Sequence, residues 1–231
     1  MNITPIAHIE TDFPSKFGVP RQSGLVSELQ GRIFFEPKYR NADALRGLEG
    51  FDYIWLIWGF SENHFPSSAA SSSWALVRPP RLGGNEKMGV WATRSSFRPN
   101  GLALSSVKIE KIDVNTPEGP VIHVSGADLM NGTPIYDIKP YITFTDSHPA
   151  ARSGFVDVRE KPMLEVEFPE ALLQRLPADK RAVAIDVIAQ DPRPSYQEDR
   201  ERIYGFPFAG YDIRFRVGEC RKATVVEVKE L

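Results

Sequence analysis

Nineteen prolines and seventeen glycines interrupt the 231-residue chain so often that few stretches can hold a helix of several turns. What lies between the breaks is β-rich. Residues 6–10 (IAHIE), 32–36 (RIFFE), 51–60 (FDYIWLIWGF), 88–95 (MGVWATRS), 102–112 (LALSSVKIEKI) and 121–127 (VIHVSGA) all read as strands bounded by turn-forming residues. Strands in this succession, without helices between them, predict a mainly β barrel or sandwich and not a doubly wound sheet. The ten-residue run at 51–60 is too short to cross a bilayer. Its aromatic and β-branched content predicts a strand buried on both faces. Just before it, NADALRGLEG at 41–50 predicts one short helix, capped by Asn41 and ended by Gly47 or Gly50.

The pattern changes after residues 145–162, which lack periodicity and read as a connector. Leu172, Leu173 and Leu176 form one helical stripe, and Val183, Val187 and Ile188 another. YDIRFRV, a Gly-Glu turn and KATVVEVKEL then predict an antiparallel hairpin. The chain is therefore divided into a β domain over 1–150 and a smaller α+β domain over 162–231.

Several function classes are disfavoured. Cys220 is the only cysteine, so no intrachain disulfide or cysteine-based metal site can form, and four scattered histidines are poor grounds for zinc. No metal is expected. No apolar run reaches the roughly 18 residues of a membrane helix, and the first residues lack a secretory pattern, so no membrane role and a cytoplasmic location are expected. The phosphate-loop, dinucleotide and nucleophile-elbow signatures are missing. His64, in the Ser/Ala-rich loop 61–75, reads as a surface residue.

A formal net charge of −2 argues against a general nucleic-acid binder, yet the charge is uneven. Arg78, Arg81, Lys87, Arg94 and Arg98 stand against one acid, Glu86. Such a run is either a solvated face or a patch for phosphate or carboxylate. Three polar-rich stretches, 17–26, 77–101 and 126–142, place arginines, acids and a tyrosine in loops of an otherwise apolar β framework, where sites usually lie.

The motifs VPRQSGLV, RGLEGFDYIWLIWGF, VRPPRLGGN with MGVWATRSSFRPN, DLMNGTPIYDIKPY and AQDPRPSY occur in that order, and together they resemble the TrmO family (TsaA-like or YaeB-like). The resemblance implies a β-barrel methyltransferase domain, neither Rossmann-type nor knotted, working as a homodimer with S-adenosylmethionine. It implies a tRNA substrate: N6 of threonylcarbamoyladenosine beside the anticodon of threonine tRNA. The family's cofactor contacts fall on Ser23, Gly24, Leu25, Ser61, Glu62, Arg94, Leu104, Ser125, Gly126, Ala127 and Asp128. One departure is visible: where the family reads FRPNPIG, this chain has FRPNGLA at 97–103.

Residue chemistry gives these positions roles. Arg94 suits the cofactor carboxylate, because a guanidinium can grip both oxygens. Arg98 is expected to buttress the same loop or meet phosphate. Asp137 is the candidate base, with Lys139 and Tyr141 beside it in the motif. Arg78, Arg81, Lys87, Arg98 and Arg193, with Arg200 and Arg202, are candidates for RNA phosphates, and Trp74 for base stacking. Two other readings fit the same sequence: a non-catalytic dimeric barrel that binds nucleotide or RNA, and a methyltransferase with a non-tRNA acceptor.

Overall fold

The computed structural model describes residues 2–62, 73–158, 163–193 and 199–231. Its first part runs β1 (Ala7–Thr11), β2 (Gln30–Phe35), β3 (Tyr53–Gly59), β4 (Leu76–Val77), β5 (Met88–Gly89), β6 (Leu102–Asp113), β7 (Val121–Ser125) and β8 (Thr133–Pro140). Six of these strands close into a barrel in the order β1-β2-β7-β6-β3-β8, every neighbouring pair antiparallel. Alternate residues point inward, as the pleat requires. Ile9, Ile33, Ile54, Leu56, Ile122 and Ile135 fill the lumen, so the barrel is a packed core and not a pore.

The alternation corrects one expectation. The 51–60 run is not buried on both faces: Ile54, Leu56 and Trp58 enter the core, while Tyr53 is exposed and Trp55 and Ile57 are half-buried outside. The outer aromatics have cover of their own. Trp55 packs on Tyr141 and donates its Nε1–H to Asp146 Oδ2 at 2.9 Å.

Local differences have local causes. Residues 41–50 form two short 3-10 turns, Ala42–Leu45 and Leu48–Gly50, because Gly47 between them takes φ 89°. Asn41 caps the first by accepting from the Asp43 amide at 3.0 Å. In 88–95 only Met88–Gly89 is strand; Val90–Ala92 turns as a 3-10 segment that buries Val90 and leaves Trp91 outside. Residues 133–140, which read as loop chemistry, are the strand that closes the barrel. The two prolines disguise the strand, yet Pro134 and Pro140 sit at its ends, where a missing N–H costs little.

The one-turn helices α1 (Thr143–Asp146) and α2 (Phe155–Val158) follow the barrel, and the second part holds β9 (Glu165–Glu167), α3 (Glu170–Leu173), α4 (Ala178–Ala189), β10 (Tyr204–Phe208), β11 (Tyr211–Val217) and β12 (Lys222–Glu230). Its sheet runs β10-β11-β12-β9, with β9 parallel to β12. Val183, Val187 and Ile188 of α4 pack on Phe206, Phe208 and Phe215. The hairpin expected from YDIRFRV and KATVVEVKEL is present. Strands β9 and β10 and the one-turn helices α1 and α2 were not anticipated.

Candidate active site

The residues expected to hold a cofactor gather at one rim of the barrel. This rim is formed by the ends of β1, β3 and β7 and the starts of β2, β6 and β8. Residues 22–25 lie in the β1–β2 connection, Ser61 and Glu62 follow β3, Arg94 sits on the arm before β6, Leu104 lies near the start of β6, and 125–128 end β7.

Backbone hydrogen bonds fasten two of these segments together. The Gly24 amide donates to the Gly126 carbonyl at 2.9 Å, and the Gly126 amide donates to the Leu29 carbonyl at 2.8 Å. Both glycines take positive φ, 77° and 75°, which a side chain would strain.

Asp128 is the centre of the rim. It accepts from Ser105 Oγ at 2.6 Å, and Ser105 in turn accepts from Trp58 Nε1 at 2.9 Å. Burial pushes the Asp128 carboxyl above the usual carboxylate range, against the pull of the Ser105 hydroxyl, its own and the Ser23 amide, and the charge of Arg94. Trp58 and Ser105 escaped the sequence reading because each sits in an apolar or β-forming run. The only cue was their inward parity on β3 and β6. Ser105→Ala is expected to cost about 1–3 kcal/mol in a urea titration, since it leaves the buried Trp58 indole N–H without its acceptor and takes one of the hydrogen bonds from Asp128.

The sign of the Asp128 shift fixes a pH dependence. A carboxyl with a raised folded-state value binds its proton more tightly in the fold. It therefore detracts from stability once ionised, and that loss disappears as pH falls through the raised value toward 3.8. Ligand binding that needs the carboxylate weakens over the same interval. Affinity measured against pH is expected to fall there, above the ordinary Asp range, and Asp128→Asn is expected to flatten the profile.

The arginines divide. Arg94 donates to Gln22 Oε1 on the glycine loop and lies within electrostatic reach of Asp128. Arg98 buttresses its own arm, donating to the Thr93 carbonyl at 3.1 Å and the Ser95 carbonyl at 3.3 Å, and it stacks over Trp91. Trp91, 68% exposed, leans on Trp74 at 5.5 Å. Arg78 and Lys87 are exposed on the same arm; the Arg81 side chain and His64 lie outside the described residues. Arg193 points inward: its side chain is 16% exposed and grips Asp191 at 2.7 and 3.1 Å, so a phosphate would have to compete with an existing ion pair. Arg200 pairs with Glu219, and Arg202 stacks on Tyr204.

The expected catalytic trio is not one cluster. Asp137 is 48% exposed on the outer wall, with Lys139 Nζ 3.1 Å from its Oδ2. It faces Ile57, and Ile57 faces Leu104, so these three cross the outer wall in a row. Tyr141 lies four residues further, about 13 Å along β8, against Tyr53 and Trp55 near the opposite rim. Ser125 is buried and donates its hydroxyl proton to Glu110 at 2.6 Å. Ala127 is buried, whereas Leu104 is 52% exposed and presents an apolar surface.

The 97–103 departure is explained locally. Gly101 takes φ 58° and donates its N–H to the Arg98 carbonyl at 3.0 Å. A proline there could do neither, so the loop closes by a route of its own. The Ala103 methyl packs toward the barrel core rather than the rim.

The model of the tRNA-methyltransferase O N-terminal domain matches residues 8–147, and that of the TrmO C-terminal domain matches residues 161–231. The chain belongs to the TrmO family. It is 37% identical over 224 residues to the tRNA (adenine(37)-N6)-methyltransferase of Escherichia coli (strain K12), covering 93% of this chain and 92% of that protein. It is 43% identical over 168 residues to the enzyme of the same name from Eikenella corrodens, covering 72% and 91%. A crystal structure of TrmO from P. aeruginosa superposes with a TM-score of 0.77 at 29% identity, covering 100% of this chain and 97% of that one. Both parts of the fold thus have counterparts in this family, and the candidate rim lies within the N-terminal match.

Proposed function

We propose that this protein transfers a methyl group from S-adenosylmethionine to N6 of threonylcarbamoyladenosine, next to the anticodon of threonine tRNA, and does so as a cytoplasmic homodimer. The observation that carries the reading is the convergence of Arg94, Asp128 and the Gln22–Gly24 loop on one rim, beside an exposed aromatic and basic arm.

The residues present suit the cofactor's chemistry. It carries a carboxylate, an ammonium, a ribose diol and an adenine. Arg94 would take the carboxylate, Asp128 the diol or the ammonium, and the exposed Leu104 one face of the adenine. When bound, the cofactor supplies an electrophilic methyl on a positively charged sulfur. The protein's own task is alignment and proton removal. Alignment comes from a loop pinned by backbone hydrogen bonds. Proton removal falls to Asp137, because N6 of the modified base is delocalised into both the ring and the urea carbonyl. Lys139 keeps that carboxylate oriented or meets the substrate's own carboxylate.

RNA would approach along the arm bearing Arg78, Lys87 and Arg98. The Trp74–Trp91 pair offers a surface for an unstacked base. Trp91→Ala is expected to weaken tRNA binding about 5- to 150-fold in an anisotropy titration, one stacked base being worth ~1–3 kcal/mol. Exposed Tyr53 and Phe144 supply apolar surface for a second copy of the chain, which light scattering would weigh. No helix among the described residues is long and apolar enough to cross a membrane, and no group of three potential metal-ligating side chains occurs among them.

The test is direct. tRNA from cells lacking this gene is incubated with purified protein and S-adenosylmethionine, and its nucleosides are read by mass spectrometry. A methyl gained on threonylcarbamoyladenosine alone is the expected result. Cofactor binding without any such gain would move the reading to another acceptor or to a binding role.

A further inference from the structure

The loop that carries Gln22–Gly24 belongs to the barrel in sequence but to the C-terminal part in packing. Between β1 and β2 the chain leaves the barrel. Phe13, Val26 and Leu29 are buried in the same core as α4 and β10–β12. Gly18, with φ 99°, lies so close under Phe206 that a Cβ would stand 2.6 Å from its ring. Asp12 is tied twice: its carbonyl accepts from the Ala209 amide at 2.9 Å, and its carboxylate meets Lys180 Nζ at 2.6 Å.

The tip is held from the same side. Arg21 Nη2 donates to the Arg193 carbonyl at 3.0 Å, and Gln190 Nε2 donates to the Leu25 carbonyl at 3.4 Å. The acceptor segment is itself stiffened by the Asp191–Arg193 pair. Between these two fastenings the residues turn to the barrel rim, where Gln22 meets Arg94 and Gly24 meets Gly126.

We propose that the C-terminal part is a positioning element of the cofactor site: through Gln190–Arg193 it fixes both ends of loop 21–25, and so sets how tightly S-adenosylmethionine is held. Arg21 and Gln190 are the positioning residues. The proposal rests on the reading that this rim binds the cofactor.

The experiment uses the full chain in five forms: wild type, Arg21→Ala, the double variant Arg21→Ala with Gln190→Ala, Arg21→Lys, and Arg94→Ala. Cofactor affinity is measured by calorimetry, and amide hydrogen exchange over 22–24 is measured without ligand. The double variant is expected to bind about tenfold more weakly and to exchange about tenfold faster at 22–24, as two lost hydrogen bonds allow. Its Tm and its kcat at saturating cofactor should hold, and Arg21→Lys, which keeps a donor, should recover most of the affinity. Unchanged exchange and affinity in the double variant, with Arg94→Ala still weakened, would overturn the brace and leave the cofactor site intact. Unchanged affinity in every variant, Arg94→Ala included, would overturn the site reading and the proposal with it.

Discussion

Arg94→Ala is expected to weaken S-adenosylmethionine binding roughly 10- to 150-fold by calorimetry, with the fold intact. A charge-assisted hydrogen bond contributes about 1.5–3 kcal/mol, and each 1.4 kcal/mol is about tenfold in affinity. The side chain stands on an exposed arm and makes its contact with Gln22, so its removal opens no cavity. Two further effects follow from its loss. The Asp128 carboxylate loses a favourable charge, so its affinity for protons rises further and binding becomes more acid-sensitive. Gln22 loses a partner, so the glycine loop loosens. Arg94→Lys should recover only part of the loss, because an ammonium cannot grip both carboxylate oxygens. Unchanged affinity would remove Arg94 from the site.

Asp137→Asn is expected to lower kcat about 10²- to 10⁴-fold, the ordinary worth of a positioned base. The KM for cofactor should stay nearly unchanged, since the rim residues that bind it are elsewhere. The substitution is nearly isosteric. The ion pair it breaks, with Lys139, is half-exposed and worth at most about 1 kcal/mol. The urea midpoint should therefore hardly move, and lost turnover could not be blamed on lost structure. A variant with full turnover would refute the assignment and leave alignment as the main source of catalysis.

The barrel was legible where polar and apolar residues alternate. LALSSVKIEKI and VIHVSGA became β6 and β7 because period two is a local signal. The closing strand was hidden, because Pro134, Pro140 and Asn131–Gly132 carry turn chemistry and only pairing with β1 and β3 overrides it. The arm misread for a related reason: MGVWATRS is apolar enough for a strand, but the Arg98 bonds to the Thr93 and Ser95 carbonyls fold it back on itself. At the candidate site, the motifs point to Arg94 and Asp128, and the fold brings these two within electrostatic reach of each other. The motifs could not reveal that Tyr141 lies at the far rim or that Arg193 is already paired, since both facts arise from long-range register and packing. Ser105 and Trp58 carried no signal beyond parity.

The excursion between β1 and β2 also sets a timetable for synthesis. The barrel can close once β8 has emerged, but Phe13, Val26 and Leu29 then have nothing to cover them. Their partners in α4 and β10–β12 are made last, and at ~5–20 residues per second that wait is roughly 5 to 20 s. A nascent chain therefore displays a sticky strap beside a finished barrel. Premature termination after residue 150 should leave a folded but aggregation-prone product, not an independent enzyme.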